Sequence, residues 1–182
     1  QERWVQMRGR EPLGQDPRLL GVDVAGMGRD ATCFVERKGA WVSEFDCHNS
    51  GGTADHMTAA GNIVARRRRH PTMYASIDTI GEGAGVYSRC CEVDNAQYII
   101  SCKYSEWGGY DPNKLTDITG QYHFVNMRAY LFWCVRDWLN PKNDTGAMLP
   151  PDARFIEEAT EIRWVFRSDG KIQIEPKDEI KK

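Results

Sequence analysis

"LLGVDVAGMGRDAT", Leu19–Thr32, is the stretch on which the reading of this chain turns. An apolar run with the look of a β-strand closes on an aspartate, Asp23. A turn rich in glycine follows, and a second strand begins near Ala31. Strand interiors seldom hold a bare carboxylate, because burying an unpaired charge costs several kcal/mol. Asp23 therefore needs a reason.

Working outward, Arg18–Val24 and Ala31–Arg37 form two strands. Lys38–Gly39 turns tightly into a third, Ala40–Cys47, so the three make an antiparallel meander. "NSGG" breaks the sheet, and Thr53 can cap a helix that runs to about His70 and stops at Pro71. Met57, Ala60, Gly61 and Val64 share one face of that helix, with Arg66 and Arg69 pointing away from it. "TMYASID", Thr72–Asp78, is a fourth strand, and it too ends in aspartate. A short helix over about 86–92, a fifth strand at Tyr98–Ser101 and a polar loop over 103–119 come next. A helix over about 121–139 follows, its expected buried stripe being Phe124, Val125, Leu131, Phe132, Val135, Trp138 and Leu139. Asp152 caps a further helix to about Ala159, and a hairpin closes around Asp169–Gly170.

A strand–helix–strand crossover makes parallel neighbours. Strand four should then lie beside strand one, with Asp23 and Asp78 at the same sheet edge. A single strand-end aspartate is ordinarily a turn former or a helix cap. Two on adjacent parallel strands repel, and one would hold a proton unless a cation removes the repulsion. Oxygen ligands without cysteine or histidine favour Mg²⁺ or Mn²⁺. Two such ions about 4 Å apart suit in-line attack of water on a phosphodiester.

The 182 residues, 41% of them apolar, are enough for one good core or two small ones, and a net charge of −2 names no partner. No G-x-x-x-x-G-K-[ST] loop occurs, which excludes a P-loop ATPase site in this piece. The six cysteines, Cys33, Cys47, Cys90, Cys91, Cys102 and Cys134, include no C-x-x-C pair and read as reduced thiols. Cys47–His48 invites zinc, but His56, His70 and His123 stand at no zinc-ligand spacing. There is no signal peptide and no apolar run long enough to span a membrane.

Five blocks carry a resemblance: "GVDVAGMGRDAT" (Gly21–Thr32), "IDTIGEGAGVY" (Ile77–Tyr87), "FVNMRAYLFWCVRDWL" (Phe124–Leu139), "LPPDARFIEEA" (Leu149–Ala159) and "SDGKIQIEPKDEIKK" (Ser168–Lys182). In this order they resemble the nuclease domain of the large terminase subunit of tailed bacteriophages. The resemblance implies an α/β, RNase H-like mixed sheet flanked by helices, in which a three-strand antiparallel meander leads into parallel crossover strands. It implies a metal-dependent endonuclease that cuts concatemeric double-stranded DNA in the cytoplasm of the bacterial host. Asp23 and Asp78 match the family's catalytic metal ligands, and the complete site holds two Mg²⁺ or Mn²⁺ ions. Portal protein and small terminase subunit are the implied partners.

The resemblance also makes residues 1–17 a linker from an upstream ATPase domain and 18–182 the nuclease domain, cut short at its C-terminal end. The family's third catalytic aspartate follows the "KDE" block, beyond Lys182, which leaves Asp178 and Glu179 as the substitutes within this chain. Glu82 could reach the metals through a water. Asp30 is expected to order the glycine turn, and Thr32 stands beside it. Arg66 and Arg69 in "ARRRRH", with Lys103, are candidate phosphate contacts, against the plainer reading of a solvated helix end. Trp107 and Tyr110 could touch DNA or pack in their loop. Two other functions fit parts of this pattern: a non-catalytic DNA-binding or portal-docking module, and a fragment of an actin-like ATPase or kinase, which needs a second phosphate loop that this length does not show.

Overall fold

The structure, a computed structural model, describes residues 1–182 apart from 27–29, 50–54, 108 and 176–182. The chain divides into two compact units, one of Gln1–Cys102 with Met148–Pro151 and the other of Lys103–Ala147 with Asp152–Lys182.

The first unit is built on a six-stranded mixed sheet. Strands β1 (Arg18–Asp23) and β2 (Ala31–Lys38) pair antiparallel, as expected from the glycine turn between them. The expected third strand is two pieces, β3 (Trp41–Val42) and β4 (Asp46–Asn49), both antiparallel to β2. The break falls where the Ser43 hydroxyl accepts from the Glu36 N–H at 2.9 Å and donates to the Glu44 carbonyl, replacing ladder bonds with side-chain ones.

Helix α2 (His56–Arg69) leads to β5 (Tyr74–Asp78), parallel to β1. Helix α3 (Gly83–Val93) leads to β6 (Ile99–Cys102), parallel to β5. The cap of α2 is Asp55, which accepts from Thr58 N at 2.8 Å, while the expected cap Thr53 lies outside the described residues. One core unites Leu20, Val22, Ala75 and Ile77 with Ala59, Ala60, Ile63 and Val64 of α2 and Val86 and Cys90 of α3. The buried face of α2 is thus rotated from the expected one: Met57 is 62% exposed, and nothing lies beside the open face of Gly61.

Arg67 is the surprise in the arginine run. It is 3% exposed, donates Nε to Asp94 at 2.6 Å and a second nitrogen to the Met73 carbonyl, and lies over the Tyr98 ring at 4.8 Å. Burial works against the Asp94 charge, but the Arg67 guanidinium and the Asn95 N–H together hold that carboxyl below its ordinary value.

In the segment over 1–17, expected as a linker, helix α1 (Glu2–Gln6) buries Trp4, whose indole N–H donates to the Val42 carbonyl at 2.9 Å. Glu11 pairs with Arg18 and Lys38, tying the segment to the sheet. One expectation needs correction here: not all six cysteines are thiols. The β2–β4 ladder sets Cys33 directly opposite Cys47, and the two are joined as a disulfide, while Cys90, Cys91, Cys102 and Cys134 are free. A pairing across two strands leaves no C-x-x-C signature to find.

In the second unit, helix α4 (Met127–Leu139) starts six residues later than its apolar pattern suggests. Asn126 caps it, accepting from Ala129 N at 3.0 Å, and Phe124 is extended, bridging to Ile172. The buried positions of α4 are Ala129 and Trp133, whereas Leu131 and Val135 are 36% and 43% exposed. Helix α5 (Ala153–Glu161) is capped by Asp152 as expected, and β7 (Trp164–Phe166) and β8 (Ile172–Ile174) form the closing hairpin. Phe124, Trp133, Ile172 and Ile174 make this unit's core.

Candidate functional site

Register places the two aspartates. β1 and β5 run parallel with Val22 opposite Ile77, and one step further along each strand stand Asp23 and Asp78. Neighbouring strands lie about 4.8 Å apart. Alternation then sets the side. Val22 and Ile77 are buried in the core under α2 and α3, so Asp23 and Asp78 both face the other way. Asp23 is exposed and Asp78 half-buried, so solvent reaches both. The row continues across the sheet: Cys33 is opposite Asp23, and Cys102 is opposite Asp78.

Local hydrogen bonds flank both aspartates. Asp78 Oδ1 accepts from Ile80 N at 3.0 Å, an Asx turn that holds the carboxylate's orientation. A Cβ on Gly83 would overlap the Asp78 carbonyl oxygen, so the start of α3 presses on the end of β5. After Asp23, the Thr32 hydroxyl accepts from Ala25 N at 3.1 Å. That bond ties Ala25 to the start of β2, and Asp30, expected to order the glycine turn, is exposed.

Glu82 immediately precedes α3 and packs over Gly26, whose added Cβ would lie 3.1 Å from Glu82 Cγ. Its carboxylate meets His56 Nε2 at 2.6 Å. His56 is a residue that sequence reasoning missed. It lies 26 positions from Glu82, and only the packing of α2 on α3 brings them together.

The candidate cations fare differently. Arg66 is paired with Glu36 and Asp46 and lies over the Phe34 ring at 5.0 Å, so its charge is balanced within the fold. Arg69 is exposed, and Lys103 is 3.8 Å from Glu106. Trp107 packs against the core of the second unit, whereas Tyr110 is 63% exposed. Asp178 and Glu179 lie outside the described residues.

Among the described residues no group of three or more His, Cys, Asp or Glu side chains is placed to hold a metal ion. Two carboxylates on one face of adjacent strands fit a single hard divalent ion with water completing its shell. A two-ion cluster requires more negative charge than these two supply. Among the described residues no helix is long and apolar enough to cross a membrane.

No protein-family model and no curated protein matches the chain. Solved structures do. The nuclease domain of the large terminase subunit gp2 of bacterial virus Sf6 aligns with a TM-score of 0.69 and 20% identity, over 97% of this chain and 84% of that one. A mutant of the same domain solved with manganese and beta-thujaplicinol gives the same values. The large terminase nuclease of thermophilic phage G20c, solved with bound magnesium, aligns with a TM-score of 0.51 and 12% identity, over 93% of this chain and 84% of that one. The fold of this chain is that of the phage terminase nucleases, an RNase H-like mixed sheet flanked by helices.

Proposed function

We propose that this chain is the nuclease domain of a viral DNA-packaging terminase, hydrolysing phosphodiester bonds of double-stranded DNA with divalent ions held by Asp23 and Asp78. The observation that carries the reading is the placement of those two carboxylates side by side, on one face, at the ends of adjacent parallel strands. The structural neighbours support it, since their names describe nuclease domains and two of them were solved with manganese or magnesium.

Mg²⁺ or Mn²⁺ bound here would activate water and stabilise the leaving oxygen of an in-line displacement. The protein's part is to position. The Asx turn on Ile80 N and the close approach of Gly83 hold Asp78, and the Thr32 hydroxyl ties Ala25, two residues beyond Asp23, to β2. With both carboxylates ionised, the edge repels a DNA phosphate unless cations lie on it, so substrate and metal binding are coupled through the same two side chains. Exposed Arg69 and Lys103 are the candidates for backbone contacts. A second ion calls for another carboxylate, and Asp178 and Glu179 are the first to substitute. Portal protein and small terminase subunit are the partners this reading brings with it.

The test is nicking of supercoiled plasmid with Mn²⁺ or Mg²⁺. Asp23→Asn and Asp78→Asn keep shape and remove charge, so each should nearly abolish cleavage and Mn²⁺ binding while leaving the unfolding midpoint unchanged. Full activity in either variant would sink the assignment.

A further inference from the structure

His56 and Glu82 belong to different elements, yet their side chains meet at 2.6 Å, with Glu82 packed over Gly26 in the segment that follows Asp23. His56 opens α2, and Glu82 precedes α3. An ionised carboxylate only accepts, so Nε2 carries the proton, and the opposite nitrogen, Nδ1, is turned to Gly85. Glu82 touches both metal-site loops. It is four residues beyond Asp78 in the chain, and its methylene lies against Gly26, three residues beyond Asp23. Its side chain is 42% exposed and that of His56 37%, so water reaches the pair. An ion pair this open contributes too little to account for it as a stabilising device. Glu82 also forms no three-carboxylate group with Asp23 and Asp78 among the described residues.

We propose that His56 is a positioning residue of the metal site: its Nε2–H holds the Glu82 carboxylate beside the loops of Asp23 and Asp78, where that carboxylate accepts a hydrogen bond from ion-bound water. This rests on the reading of Asp23 and Asp78 as the metal ligands. Outer partners of this kind are worth about 10–100-fold in metal affinity. A bare hydrogen-bonded pair would instead respond only in stability.

Mn²⁺ binding to the whole chain, followed by water-proton relaxation, separates the possibilities. His56→Ala and Glu82→Gln should each weaken Mn²⁺ binding about 10-fold. His56→Gln, whose amide nitrogen can still donate to Glu82, should recover most of the affinity. The thermal unfolding midpoint of all three should match that of the parent. By NMR, Mg²⁺ should shift the His56 ring resonances in the parent and not in Glu82→Gln. Unchanged affinity in His56→Ala, or equal loss in His56→Ala and His56→Gln, overturns the positioning role while the loss in Asp23→Asn keeps the metal site. Unchanged affinity in Asp23→Asn overturns both.

Discussion

Gly81 and Gly83 stand two residues apart and are glycine for different reasons. Gly81 has φ +82°, a left-handed conformation that side chains with a Cβ avoid, and open space beside it. Gly83 has no such φ. It is glycine because the start of α3 lies against the Asp78 carbonyl, and any Cβ would overlap it. Gly83→Ala should therefore cost about 1–3 kcal/mol, the usual penalty for forcing atoms into a filled space, and lower the thermal midpoint by several degrees. Because the strain falls on Asp78, the same variant should also weaken Mn²⁺ binding. A melt and a metal titration on one preparation check both, and a normal affinity in a destabilised protein would show that α3 does not set the Asp78 geometry. At this scale the placement of Asp23 and Asp78 was legible, since a crossover between two strands that each end in aspartate forces the pairing. Glu82–His56 was not, because nothing local in either residue's sequence records its partner.

At the scale of elements, the apolar pattern found the helices and misjudged their faces. In α4, Leu131 and Val135 are spaced as a core stripe should be, yet Ala129 and Trp133 are what the unit buries. Every helical residue has neighbours three and four positions away, so a helix apolar on most sides offers several stripes. Partners outside it choose among them, and here Phe124 and the β7–β8 hairpin select Trp133. Trp133→Ala should cost about 3–5 kcal/mol, against about 0.5 kcal/mol or less for Leu131→Gln or Val135→Gln. Denaturant unfolding decides it, and a large loss in Leu131→Gln would contradict the assigned face. The arginine run in α2 misled for a related reason. Four like charges read as a solvated end, but Arg67 falls on the core face, where Asp94, the Met73 carbonyl and Tyr98 satisfy it. Arg67→Met should cost about 3–5 kcal/mol, mostly by stranding Asp94, and Asp94→Asn in the same background should return part of it.

Across the whole molecule, covalent and ionic ties set how stability responds to conditions. The Cys33–Cys47 bridge spans 14 positions, and a closed loop near that length contributes about 3 kcal/mol in the chain-entropy view. Unfolded without reductant, the chain should titrate four thiols, and six with it. In the native state Cys90 should stay unreactive, since it is fully buried and burial, with Cys91 beside it, pushes its thiol up to about 12.

Acid sensitivity follows from Asp94 in the first unit and Asp117 in the second. Asp117 is 8% exposed, and burial opposes its charge. The Thr119 hydroxyl, with the backbone N–H groups of Tyr122, Thr119 and Gln121, outweighs burial and holds the carboxyl below its ordinary value. For both groups the folded value is depressed, so the unfolded chain binds the proton more readily. Their stabilisation is therefore fully present above the unfolded value, about 3.9, and is lost as pH falls through the folded one. Stability should stay level from about pH 7 to 5 and decline below about 4. Asp94→Asn and Asp117→Asn should each be less stable than the parent at pH 7 and should lose less on acidification, because a neutral amide has no proton to gain. Urea unfolding at pH 7, 5 and 3.5 measures the difference, and an unaltered acid slope in the double variant would assign the acid response to other carboxylates.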